Sequence, residues 1–296
     1  APSPTGNPHI ATILQALLDF AYAKQNQGKF IPRIEDTDKK RQVEGSEEVI
    51  FNTLEWFDLS PDESPLKKVD FGPYRQSERL DLYQKYSKQL IDKGHAYYCF
   101  CSPERLDQVR KDLQKKGQPP MYDKHCRNLS KKEIQEKIKT ESYVTRLKIP
   151  TNKTITVKDL VRGEIKFDSN TIDDQVILKS DGFPTYHLAV VIDDHLMEIT
   201  HMLRGEEWIS SAPKHVLLYQ YFNWEPPKFI PTPLLRNPDK SKLSKRHGHA
   251  SVEWYQDKGY LKEAIINFLA TRVWNHPQGK EIFDLKEFIK HFTFKK

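Results

Sequence analysis

The sequence predicts an α/β fold: a parallel sheet flanked by helices, an inserted α+β domain, and a helical region behind them. Three observations carry this. An apolar face with helical period follows a Pro/Gly-rich opening turn. A short strand-like run follows that helix and ends in carboxylates. A stretch rich in β-branched residues then breaks the middle of the chain, and helical periodicity takes over at the end.

The first element starts after Ala1-Pro2-Ser3-Pro4-Thr5-Gly6-Asn7-Pro8-His9-Ile10. Ile10, Ile13, Leu14, Leu17, Leu18 and Ala21 fall on one helical face, and Gly28 is placed to end it. Lys29 to Ile34 reads as a strand running into Glu35-Asp36-Thr37-Asp38. Strand, helix and strand in this spacing make a parallel crossover, whose ligands sit at the carboxyl ends of the strands. A second helix is expected from Ser77 to about Lys93, with Leu80, Tyr83, Tyr86, Leu90 and Ile91 inward and Gly94 as its stop. A basic helix is expected around 104–116. Val144–Ile149, Thr154–Val157 and Gln175–Leu178 read as strands, and His187–Asp194 as a buried strand ending in two carboxylates. From Ser251 onward the pattern is helical. The expected partition is 1–96 with 186–250 as the main domain, 97–185 as the insert, and 251–296 as the helical region.

The chain has 296 residues, 37% hydrophobic and 30% charged, with a net charge of +6. That fits a globular enzyme and permits a polyanionic partner. No apolar run approaches the roughly 20 residues that span a bilayer, so no membrane association is expected. Three cysteines cannot close a disulfide framework, which points to a reducing compartment. The chain starts inside a motif word, so a longer natural protein is expected at both ends.

Two segments carry phosphate chemistry. In the opening loop, helix N–H groups and the positive helix end favour an anion. His9 can donate to a phosphate oxygen, and Ser3 and Thr5 add neutral donors. Near the other end, Lys242-Leu243-Ser244-Lys245-Arg246 places three cations around a serine, suited to clamping a triphosphate. Each alone also reads as an ordinary capped turn or a solvated basic run. In this order they suggest one nucleotide site built from two distant segments.

These segments resemble the HIGH and KMSKS motifs of class I aminoacyl-tRNA synthetases. The surrounding words resemble the glutamyl-tRNA synthetase family of bacterial and organellar type: Ala1–Gly6, Arg33–Asp38, Tyr74-Arg75-Gln76-Ser77, Ser180–Ala189, Arg204-Gly205-Glu206-Glu207-Trp208 and Leu234-Leu235-Arg236-Asn237. The resemblance covers nearly the whole chain. It implies a Rossmann-like class I synthetase catalytic domain, an inserted acceptor-end-binding domain with a zinc site, and an incomplete stem-contact region. It also implies ATP-dependent activation of L-glutamate and transfer to the 3′ end of tRNA-Glu, by a monomer, in the cytoplasm or an organelle. His9, Lys242 and Lys245 would be catalytic, with ATP held by Thr5, His9, Thr12, Glu207, Trp208, Leu235 and Lys245 and Mg²⁺ accompanying the triphosphate. Ser3, Glu35, Tyr186 and Arg204 would line the glutamate pocket. Glu35 suits the ammonium, and Arg204 suits a carboxylate and rejects glutamine.

Two departures stand out. Ala11 occupies the third HIGH position, where the family has glycine. An arginine that the family carries just before the Ala-Pro-Ser-Pro word is not in this sequence. A short relative, the glutamyl-queuosine tRNA-Asp synthetase, and a non-catalytic tRNA-binding paralogue are the alternative readings.

Cys99-x-Cys101 followed by Tyr122-x-x-x-Cys126 is the remaining cluster. Thiolates are zinc ligands and a tetrahedral site needs four groups, so Tyr122 or His125 would complete it. The resemblance to bacterial-type members selects Tyr122, in a structural rather than catalytic site. Asp193 and Asp194 read as turn and tRNA-end positioning groups. His187, His195, His201 and His247 show no mutual ligand spacing.

Overall fold

The computed structural model describes residues 1–237, 239–241, 243 and 250–294. Its first element, α1 (Ile10–Gln25), buries the predicted face from Ile10 to Ala21. The N–H of Gly28 closes the end of this helix on the Ala23 carbonyl at 2.8 Å. Residues 29–33 form no regular strand, and Ile34 makes a single isolated parallel bridge to Arg75. The expected strand is thus reduced to one bridge, beside Glu35. Helix α2 (Ser46–Trp56) has no counterpart among the expected elements. Gly45 introduces it at a left-handed φ of 76°, and Glu47 and Glu48 oppose its N-terminal dipole.

A 3₁₀ turn, Gln76–Arg79, leads into α3 (Leu80–Asp92), which buries Tyr83, Ser87 and Leu90. Gly94, at φ 74°, stops it as expected. Then come β1 (Ala96–Cys99), α4 (Pro103–Lys115) and α5 (Lys131–Thr140). Ser102 caps α4, and Ser130 with Glu133 forms a capping box on α5, so both polar helices start on built-in acceptors. Strands β2 (Val144–Leu147), β3 (Thr154–Asp159), β4 (Gly163–Asp168) and β5 (Val176–Leu178) follow. β1, β2 and β5 form one antiparallel sheet, in which Cys99 faces Val144. β3 and β4 form a hairpin in register from Thr154 opposite Asp168 to Asp159 opposite Gly163.

The run expected to be a buried strand is instead a helix, α6 (Tyr186–Leu196). Every residue from His187 to Asp194 is buried. A segment covered on all sides shows no periodicity, so an apolar run of this length does not distinguish strand from helix. The chain continues through β6 (His201–Gly205), α7 (Ala212–Phe222) and β7 (Lys228–Thr232), then α8 (Val252–Asp257), α9 (Lys262–Thr271) and α10 (Leu285–His291).

The chain divides into two compact units. The first comprises Ala1–Glu78, His201–Ile209 and Phe229–Lys296. Its core gathers α1, α2, β6, β7 and the C-terminal helices around Leu17, Ile34, Phe57, Leu269 and Phe288. The second comprises Arg79–Thr200 and Ser210–Lys228. Within it, Tyr86, Phe222 and Trp224 interlock α3 with the end of α7, ring centroids 5.4 and 5.1 Å from Tyr86. Across α6, Arg79 and Tyr83 hold Asp193, which is wholly buried.

Candidate active site

In the first unit, the opening loop is tied down by its prolines' carbonyls. Pro2 accepts from the Glu35 N–H at 2.9 Å, Pro4 from Val43 at 3.1 Å and Pro8 from Val252 at 3.1 Å. Proline cannot donate, yet its carbonyl is a full acceptor, so a proline-rich loop can be fastened from one side. The Gly6 N–H reaches Ser46 Oγ at 2.9 Å, with Gly6 at φ 100°, a conformation that favours glycine. These bonds bring Ser3 and Thr5 to the neighbourhood of Glu35.

His9 is the N-cap of α1 rather than part of its first turn. Its Nδ1 accepts from the Ala11 N–H at 3.0 Å, and its carbonyl accepts from Thr12 at 2.8 Å. An accepting Nδ1 assigns the proton of the neutral ring to Nε2. The residue at the position of family departure, Ala11, therefore donates the backbone N–H that fixes this tautomer.

Glu35 has an unusual setting. Its side chain is 13% exposed, and Oε1 lies 3.7 Å from an Arg33 guanidinium nitrogen and 3.9 Å from one of Arg204. Both distances exceed a hydrogen bond. Oε1 is buried and accepts no hydrogen bond. Buried carboxylate oxygens are normally satisfied, so one left open between two cations is a receiving site for a charged donor. Next to it, Asp36 is consumed internally by the N–H and hydroxyl of Ser77. Arg204 lies on β6, which neighbours β7 in its sheet.

Beyond β6, Glu207 folds back on Gly205. A Cβ at that glycine would fall 2.2 Å from Glu207 Oε2, so the close approach needs a residue without one. Trp208 is 40% exposed. Glu206 pairs with Arg236 at 3.2 Å. Leu235 packs on the core, and its carbonyl accepts from Leu243 at 3.0 Å. Lys242 and Lys245 lie outside the described residues. Leu243, between them, is buried.

The structure thus groups Ser3, Thr5, His9, Thr12, Glu35, Arg204, Glu207, Trp208 and Leu235 in one unit, while Tyr186 belongs to the other. Tyr186 opens α6 beside two buried histidines. His187 Nδ1 meets His215 Nε2 at 3.0 Å. Burial, with the charge of Lys214, pulls His187 down to about 4, so it is neutral at ordinary pH.

Also in the second unit, the Sγ atoms of Cys99, Cys101 and Cys126 lie within 4.8 Å of one another, a grouping that could hold a metal ion. Tyr122 Oη is 3.4 Å from both Cys99 and Cys101 and accepts from the Cys126 N–H at 2.9 Å. His125 is exposed. Of the two candidates for the fourth ligand, Tyr122 is the one inside the cluster. Hydrogen bonds from Cys126 and then from Tyr122, with help from Arg146, hold Cys99 well below the usual thiol range against its burial. Cys126, bonded to the same thiolate and buried, moves up. The Arg146 guanidinium sits 3.9 Å over the Tyr122 ring, and Arg105 reaches Cys101 Sγ at 3.5 Å. Cationic walls of this kind suit a cluster of thiolates.

Asp193 and Asp194 are not strand-end turn groups, because both lie on α6. Asp193 accepts from Arg79 Nε at 2.8 Å and from the Tyr83 hydroxyl at 2.9 Å. It is a structural strut. The sequence reading passed over a further cluster, His276, Glu287 and His291 in the first unit. The Glu287/His291 spacing within α10 was its one available signal.

A class I synthetase is the class of protein that this arrangement defines. The profile described as "tRNA synthetases class I (E and Q), catalytic domain" matches residues 1–296, and the chain belongs to that family. It is 54% identical to a glutamate–tRNA ligase of Fusobacterium nucleatum subsp. nucleatum, over 100% of this chain and 58% of the relative. It is 53% identical to that of Gloeobacter violaceus, over 98% of this chain and 55% of the relative. Among solved structures, it is similar to a glutamate tRNA ligase from Elizabethkingia meningosepticum in complex with its amino acid. The TM-score is 0.92 at 42% identity, covering 99% of this chain and 63% of that one. The chain therefore spans somewhat over half the length of the relatives it matches.

Proposed function

We propose that the protein containing this chain activates L-glutamate with ATP and transfers it to the 3′ end of tRNA-Glu. The observation that carries the reading is the buried Glu35 oxygen, which accepts no hydrogen bond between two arginines. A free amino acid brings the ammonium that such a group needs. Arg204 takes a carboxylate of the same substrate, and glutamine, whose amide would leave this charge uncompensated, is rejected. Ser3 adds a neutral donor to the glutamate site, and the family resemblance also implies a part in glutamate binding for Tyr186.

One glutamate carboxylate oxygen attacks the α-phosphorus of ATP. The new P–O bond gives glutamyl-adenylate, and pyrophosphate leaves. A hydroxyl of the terminal tRNA ribose then attacks the acyl carbon, forming the ester and releasing AMP. The chain's part is positioning and charge stabilisation. His9, with its proton on Nε2, donates to the phosphate oxygens as charge grows. Thr5 and Thr12 add donors at the same helix end, and Glu207, Trp208 and Leu235 hold the adenosine. Lys242 and Lys245 supply positive charge from the basic segment. Mg²⁺ offsets the charge of the triphosphate.

The Cys99, Cys101, Tyr122 and Cys126 cluster fits zinc, which would fasten β1 to the Tyr122–Cys126 turn as a structural tie. The partition into a catalytic part (1–96 and 186–250), an acceptor-end insert (97–185) and a stem-contact region (251–296) belongs to the same proposal, as do a monomeric state and a cytoplasmic location. No helix among the described residues is long and apolar enough to cross a membrane. The relatives' names favour this reading over the glutamyl-queuosine tRNA-Asp and non-catalytic alternatives.

Glutamate-dependent exchange of pyrophosphate into ATP, with tRNA present, tests the proposal. Lys245→Ala is expected to lower the exchange rate roughly a hundredfold, the cost of losing one transition-state donor, with glutamate affinity little changed. Wild-type protein that binds glutamate and ATP without exchange would sink the proposal.

A further inference from the structure

We propose that His276, Glu287 and His291 form a binding site for a zinc-type divalent transition metal, separate from the cysteine cluster. One ligand atom from each of the three lies within 4.8 Å of the other two. A metal with bonds of about 2.0–2.2 Å draws its ligand atoms to roughly 4 Å or less, so a small side-chain adjustment closes the set. Glu287 and His291 sit four residues apart near the end of α10, on one face. His276 approaches from the turn after α9.

His276 provides the second observation. Its side chain is completely buried, and Nε2 stands 3.2 Å from Glu287 Oε1. Yet that nitrogen makes no hydrogen bond. The two atoms meet side by side rather than along an N–H···O line. Two ligand atoms that converge without bonding each other leave a third atom to be shared between them. A buried, unbonded imidazole nitrogen otherwise goes against the rule that interior polar groups are paired.

Two existing interactions must give way, one part-buried and one at the surface. The Gln278 N–H donates to His276 Nδ1 at 3.1 Å, so the ring proton of the metal-free chain sits on Nε2. Metal binding moves that proton to Nδ1 through solvent, and the exposed Gln278 N–H turns to water. Lys280 pairs with Glu287, and both side chains are partly exposed, at 47% and 26%. Exposed pairs contribute little, so this ammonium can leave.

Two imidazoles and one carboxylate select zinc, cobalt, nickel or copper over magnesium and calcium. Three protein ligands leave a fourth position for water. A metal held there cross-links α10 to the turn at His276.

Cobalt(II) separates this site from the cysteine cluster, because thiolate ligands give a charge-transfer absorption that imidazole and carboxylate do not. Metal-free full-length protein titrated with Co²⁺ is expected to bind two equivalents, one with the thiolate band and one without. His291→Ala and Glu287→Gln should each weaken the second equivalent at least tenfold and leave the thiolate band intact. Zinc should raise the melting temperature of wild type more than that of either variant. The proposal is overturned if wild type takes up only the thiolate-bound equivalent. It is also overturned if either variant binds the second with wild-type affinity.

Discussion

Two carboxylates, one in each unit, meet arginine in opposite ways. Asp193 in the second unit is fully engaged: Arg79 Nε lies at 2.8 Å and the Tyr83 hydroxyl at 2.9 Å. Glu35 in the first unit sees two guanidinium groups at 3.7 and 3.9 Å, and its Oε1 accepts no hydrogen bond. Asp193 is wholly buried and Glu35 half-buried, but the difference that matters is in saturation. A closed pair braces the fold. An open one holds a field in place and waits for a donor from outside. Counting charges in sequence cannot separate the two, because it reports which groups exist and not whether their hydrogen bonds are used.

The comparison can be broken most directly at Asp193. Asp193→Asn leaves Arg79 buried without its counter-charge and should cost about 3–5 kcal/mol in unfolding free energy, read by urea denaturation. Glu35→Gln should do the reverse. Its unfolding free energy should stay within ~1 kcal/mol of wild type, while the dissociation constant for glutamate rises roughly ten- to a hundredfold by calorimetry, as for a lost charged hydrogen bond of about 1.5–3 kcal/mol. If Glu35→Gln were the more destabilising of the two, the open site would be a strut after all.

A third carboxylate sharpens the contrast through pH. Burial of Glu63 works against its charge, yet hydrogen bonds from Lys29, Tyr74 and the Phe71 backbone hold it down to about 2. A depressed carboxyl stabilises the fold fully above its unfolded value of 4.5 and loses that contribution as pH falls towards 2. Acid unfolding profiles of wild type and Glu63→Gln should therefore converge as pH falls to about 2 and separate fully above pH 4.5. Profiles that stay parallel would remove Glu63 from the closed class. The smallest effect is expected at Gly205→Ala. The added methyl displaces the flexible Glu207 side chain, so the KM for ATP should rise a few-fold with the KM for glutamate unchanged.

Much of this architecture was readable from the chain. The buried face of α1, the stop at Gly94 and the strands β2, β3 and β5 follow from periodicity and glycine placement. α6 was misread because burial on every side erases the polar face that marks a helix. α2 is short and amphipathic over too few turns to stand out. For the site, residue types were legible and geometry was not. Glu35 and Arg204 are 169 residues apart in numbering (204 − 35), and only folding puts them 3.9 Å apart. Resemblance named them as pocket residues, but the open hydrogen-bonding capacity of Glu35 is a property of the folded chain.

The cap at the start of α1 has a further consequence. Because the ring of His9 accepts from the backbone of its own helix, the choice between its two neutral forms is made before any substrate arrives. No neighbouring carboxylate is needed to set it, and no reorientation of the ring is needed when the phosphates enter. A second proton on the ring removes the lone pair that holds the helix end and leaves the Nε2–H in place. The first turn of α1 therefore couples local folding to proton inventory in a single side chain, and a change in one is felt in the other without any intermediary.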